Sequence, residues 1–172
     1  MLVPRDDALR FIDGYRTMLL RVLADTGTAA SEDPLVDLAA ARSLGKDNPG
    51  LFEAALCSLA ADGRALEPAI ATAIRSLTIG LWFYLRQGKT YAVMLDGELQ
   101  NAYAVRGLTT PLSELFGKPP FAFETGLFEF EGYYVCDGLV TNPVAIGPGY
   151  RTMLNESYTS LRNSGRFHAR AA

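Results

Sequence analysis

Histidine is nearly absent from this chain of 172 residues: His168 is the single one, close to the C-terminal end. That excludes a His-rich metal centre and leaves a Ser-His or Cys-His catalytic pair only one possible base. Two cysteines, Cys57 and Cys136, are too few for a disulfide framework or a thiolate metal site, so both read as free thiols. No metal and no cofactor is expected. No apolar run reaches the ~18 residues that a membrane-spanning helix needs. The opening Met-Leu-Val-Pro-Arg-Asp-Asp lacks the basic start and apolar block of a signal peptide, so a cytoplasmic location is the expectation. Lysine is scarce as well: of 16 basic residues, three are lysine. The remaining arginines favour forked contacts with carboxylate or phosphate, although genomic base composition produces the same excess. With a net charge of -3, nothing global points to nucleic acid. From Thr141 onward, however, Arg151, Arg162, Arg166 and Arg170 face the single acid Glu156.

What is present is an ordinary globular balance, 49% hydrophobic and 20% charged. The length suits one domain, with a mainly helical part at 1–88 and a sheet with a final helix at 89–172. Leu9, Ile12, Tyr15, Leu19 and Val22 recur at helical spacing, predicting a helix over about 6–25. Asp33-Pro34 and Asn48-Pro49 mark two further helix starts, with Gly45 closing the first and Asp62-Gly63 the second. Leu66, Ile70, Ile74, Leu77, Leu81 and Leu85 keep a three-or-four spacing, which predicts one long helix to Arg86. The competing reading ends that helix near Ser76 and begins a strand at Thr78.

The second half reads as antiparallel sheet. Thr90–Leu95 and Leu99–Val105 form a hairpin about Asp96-Gly97, and Phe121–Phe130 and Tyr133–Val140 a second about Glu131-Gly132. A short helical turn between them ends at Gly117, and the last helix runs over about 150–163. The fold class is therefore α+β: N-terminal helices packed with a mainly antiparallel sheet of about four strands, plus a C-terminal helix. Gly-Tyr-Arg-Thr-Met-Leu occurs at 14–19 and 149–154, but the flanks differ, so no structural repeat is implied.

Candidate chemistry centres on 133–151. An apolar run stops at Asp137-Gly138, and a Gly147-Pro148-Gly149 loop delivers Tyr150 and Arg151 to a helix start, where free amides attract anions. Asp137 on an apolar face must be hydrogen-bonded or paired. An Asx turn with Gly138 satisfies it, and Arg151 or Arg106 are the alternative partners. Glu124 and Glu129 complete a carboxylate set with Asp137, as a hydrolase would use. The out-of-step pairs Phe121/Phe123 and Phe128/Phe130 imply a β-bulge near Gly126, which puts both glutamates on the face away from Asp137. The ligand-binding candidates are Asp137, Gly147, Gly149, Tyr150, Arg151 and Arg106.

Val105-Arg106-Gly107-Leu108-Thr109-Thr110-Pro111, Tyr134-Val135-Cys136-Asp137-Gly138-Leu139 and Gly147-Pro148-Gly149-Tyr150-Arg151 with Leu154-Asn155-Glu156-Ser157-Tyr158 resemble a family of uncharacterised bacterial proteins over 104–166. That resemblance implies no activity, only that the C-terminal half is one coherent unit. The functional expectation is a binding or adaptor domain for a polar, anionic ligand or a protein partner. A hydrolase using Asp137 and a structural homodimer subunit are the alternatives, so whether the chain is an enzyme stays open.

Overall fold

In the computed structural model, which describes residues 2–29 and 31–171, the N-terminal part is built of four helices: α1 (Arg5–Thr26), α2 (Pro34–Asp47), α3 (Gly50–Ala61) and α4 (Pro68–Arg75). Asp33 caps α2 by accepting from the Leu35 amide at 2.8 Å, with Pro34 in the first turn as its fixed φ favours. Gly45 does not close this helix, which runs on to Asp47. It is glycine for a packing reason: a methyl group there would strike the Phe52 ring of α3. The buried face of α1 carries Phe11, Tyr15, Met18, Leu19 and Val22. Gly14 on that face lets Ile70 of α4 approach, since an added Cβ would stand 2.7 Å from the Ile70 Cγ2 atom. Arg10 pairs with Glu67, and Arg21 with Asp62. These helices, Asp6–Leu77, form one compact unit; Thr78 onward, together with residues 2–5, forms the other.

The expected long helix is two elements. After α4 the chain turns at Ser76 and enters strand β1 (Thr78–Gln87), so the helical part ends at Leu77 and not at residue 88. The Leu77, Leu81, Leu85 spacing misled because residues four apart share a face in a strand as well as a helix. The aromatic run Trp82-Phe83-Tyr84 sets the preference, since bulky rings suit a pleated surface.

The sheet is larger than four strands and mixed. β2 (Ala92–Asp96), β3 (Ala102–Arg106), β4 (Phe121–Phe130), β5 (Tyr133–Cys136), β6 (Thr141–Ala145) and β7 (Phe167–His168) join β1 in the order β1-β2-β3-β5-β4-β6, with β7 beside β3. β1 also pairs with β4, so β1-β2-β3-β5-β4 closes into a ring. β3 runs parallel to β5 and to β7, while the other pairings are antiparallel. A short helix, α5 (Leu112–Phe116), links β3 to β4, and α6 (Pro148–Asn163) follows β6. A five-stranded closed barrel with a helix between its third and fourth strands is the arrangement of an OB-type barrel.

The interior is filled by Trp82, Tyr84, Met94, Val105, Phe123, Leu127 and Cys136, with Leu112 and Phe116 of α5 packed against them. Outside, Leu154, Tyr158 and Leu161 of α6 cover Leu85, Val93, Leu95 and Ala102. The register of β4 against β1 is unbroken from Leu127 to Phe121, and against β5 from Phe130 to Leu127. The bulge expected near Gly126 is therefore absent. Phe121 and Phe123 face the interior while Phe128 and Phe130 face outward, because β4 is apolar on both sides. Consequently Glu124 and Glu129 point to opposite sides of the wall and do not share a face.

Candidate functional site

Four of the six candidate residues gather at the start of α6. Gly147 is the N-cap in extended conformation, with no side chain to cap the helix, and Pro148 occupies the first turn. The Arg151 amide donates to the Gly147 carbonyl at 3.0 Å, which leaves the N–H groups of Gly149 and Tyr150 without intrahelical acceptors. Tyr150 is 64% exposed, and Arg151 beside it is also exposed. Met153, 37% exposed, lies one turn further on.

Asp137 and Arg106 sit at strand ends with partners of their own. Asp137 is buried just past β5. Its Oδ1 accepts from the Thr125 hydroxyl at 2.9 Å and from the Leu139 amide at 3.0 Å. The second bond is the Asx turn that the sequence suggests, with Gly138 at φ 78° to complete it. Thr125 itself is fully buried; its backbone carbonyl accepts from the Trp82 indole at 3.1 Å, and its hydroxyl lies 3.4 Å from the Cys136 sulfur. Arg106 lays its guanidinium over the Tyr133 ring, 3.4 Å from the centroid.

A second polar group stands where the C-terminal residues fold back on the barrel. His168 stacks on Tyr103 with centroids 5.0 Å apart, and Tyr134 meets Tyr103 edge-on, also at 5.0 Å. His168 Nε2 lies 3.1 Å from Asn101 Oδ1, and Asn101 Nδ2 donates to Asp96 Oδ2 at 3.0 Å. The carboxylate can only accept, so the amide of Asn101 must face it, its carbonyl must face His168, and Nε2 must carry hydrogen. Burial pushes the Tyr103 phenol up, assisted by the negative charges of Asp96 and Glu129; burial and Glu129 push up Tyr134. Both rings stay protonated donors at neutral pH. This cluster is hard to read from the chain, since a histidine near a chain end reads as a surface residue. The alternation of Tyr103 with Ala102 and Ala104 was the available signal.

On the outside, α6 covers Val93 and Leu95 of β2 and Ala102 of β3, the strands whose face OB-type barrels use to bind oligonucleotides and oligosaccharides, together with Leu85 of β1. Part of the outer face near β6 is exposed. Register aligns Val144 of β6 with Ala122 of β4 and Phe83 of β1 in one cross-strand row, and Leu81 lies on the same face of β1. Val144 is 60% exposed and Leu81 49% exposed. The groove along α6 lined by Thr152, Asn155 and Thr159 is less inviting. Their side chains bond back to the helix carbonyls of Pro148, Arg151 and Asn155.

Among the described residues no group of His, Cys, Asp and Glu could hold a metal ion, and no helix is long and apolar enough to cross a membrane. No family model, curated protein or solved structure matches the chain.

Proposed function

We propose that this chain is a binding or adaptor module for a protein partner, which docks on the outer barrel face beside the start of α6. The observation that carries this reading is the exposure of Leu81 and Val144 on one face of the barrel strands and of Tyr150, Arg151 and Met153 in the first turns of α6. Tyrosine, methionine and arginine are the residue types enriched where proteins meet, and they supply anchoring area together with a forked cation. The partner would bring an apolar anchor and a carboxylate. Arg151 and the uncapped amides of Gly149 and Tyr150 would receive the carboxylate.

The test is affinity capture from the source cell with matched variants. A partner that binds the wild-type chain should be lost with Tyr150→Ala or Arg151→Glu and kept with Leu20→Ser, an exposed change on α1. The purified pair is then titrated by calorimetry. Binding that survives both changes at α6 overturns the reading. If the partner is a second copy, sedimentation of the wild-type chain will depend on concentration and that of the Tyr150→Ala variant will not.

A further inference from the structure

β7 occupies an unusual place. β5 pairs with β3 only at Val105 and Arg106, which leaves the first half of β3 without that neighbour. The C-terminal residues fill the vacancy: β7 runs parallel to β3, setting Phe167 beside Ala102 and His168 beside Tyr103. The Ala102 amide donates to the Arg166 carbonyl at 3.0 Å, and the Ala171 amide reaches the Gly132 carbonyl at 3.3 Å. Two side chains anchor the segment, on opposite faces as in any strand. Phe167 packs outside between Tyr91 and Tyr158, at 6.0 and 5.6 Å between centroids. His168 lies inward on Tyr103 and is held by Asn101.

This is how an extended peptide adds to an exposed sheet edge: backbone bonds for affinity, alternate side-chain seats for selectivity. We propose that the open half of β3 is a peptide-docking groove and that the C-terminal strand is its resident self-ligand. The seats define the partner. The outer seat takes an aromatic ring. The inner one takes a planar cationic or donor group, histidine or arginine, because it offers the face of Tyr103, with Tyr134 set roughly at right angles to it, and lies near the carboxylates of Asp96 and Glu129. The groove thus selects an aromatic residue followed by His or Arg in a strand parallel to β3. The strap is held by few ties: it has two paired residues, both half-buried, and it begins after Gly165, whose φ of 75° ends α6. Its release would not disturb the ring of five strands.

The probe is a labelled synthetic peptide of residues Ser164–Ala171, titrated by fluorescence anisotropy into the full-length chain. The resident strap competes, so wild-type protein should bind weakly. Full-length Phe167→Ala and His168→Ala variants should bind at least about tenfold more tightly, because the groove is then vacant in most molecules. A peptide with arginine in place of His168 should bind comparably, and one with aspartate should not. Folded variants that bind no better than wild type, or that bind a scrambled peptide equally, overturn the proposal. If both variants fail to fold, hydrogen exchange on the unmodified chain decides. The Ala102 amide should exchange faster than that of Met94 in the neighbouring strand, whereas exchange at the same slow rate would show that the strap never opens alone.

Discussion

Thr125 gives its hydroxyl hydrogen to Oδ1 of Asp137 across 2.9 Å, joining two residues twelve apart in sequence within the barrel wall. The same carboxylate oxygen accepts from Leu139, so one side chain fixes both the end of β5 and the turn toward β6. Replacing Thr125 with valine keeps the shape and removes the donor. A buried carboxylate that loses a hydrogen bond should cost about 1–3 kcal/mol, measurable by chemical denaturation. Asp137→Ala should cost at least as much. The double variant should fall short of the sum, because the two changes remove the same bond.

Arg151 stands in a different relation to stability. It is exposed in the first turn of α6, so Arg151→Ala should leave the unfolding free energy within about 0.5 kcal/mol of wild type. A large loss in thermal denaturation would mean that Arg151 serves the fold and would remove it from the docking surface.

Gly45 supplies a case where local propensity and packing disagree in sign. Alanine is favoured over glycine inside a helix by about 1 kcal/mol. Here the added methyl meets the Phe52 ring, and overpacking of that kind costs about 1–3 kcal/mol. Gly45→Ala should therefore lower the melting temperature, and Phe52→Leu in the same chain should recover part of the loss.

Tyr84 is fully buried in the barrel, and burial pushes its phenol up from 10.0 to about 12. The unfolded phenol ionises first, so the stabilisation is complete below pH 10 and is lost as pH rises toward 12. At roughly 1.4 kcal/mol per pH unit the loss is about 2–3 kcal/mol. Tyr84→Phe gives up the 3.1 Å bond to Gln87 but should show a shallower fall in stability over that alkaline window.

Features set by neighbouring residues were readable in the chain itself. Glu131-Gly132 forces a tight turn, so Phe130 meets Tyr133 and Phe128 meets Val135 as the alternation requires. The proline-bearing starts of α2 and α3 and the Asx turn at Asp137 were legible for the same reason. Features that depend on distant pairing were not. β1 keeps a spacing that fits helix and strand alike, and only its partners β2 and β4 resolve it. The phase change in β4 implies a bulge only in a sheet with one apolar face, whereas β4 is apolar on both. His168 entered the picture only through the return of the C-terminal residues to β3, which nothing local announces.

The pairing of β1 on both edges also bears on solubility. A strand with an unpaired edge can recruit a strand from another molecule and seed aggregates. In this sheet the members with a single partner are β6 and β7. β7 is two residues long, and β6 carries Pro143 at its centre, a residue with no backbone hydrogen to offer a newcomer. Closing the ring leaves the barrel's exposed borders to the two segments least able to extend it, so a concentrated solution of this protein should resist growth by strand addition at β6.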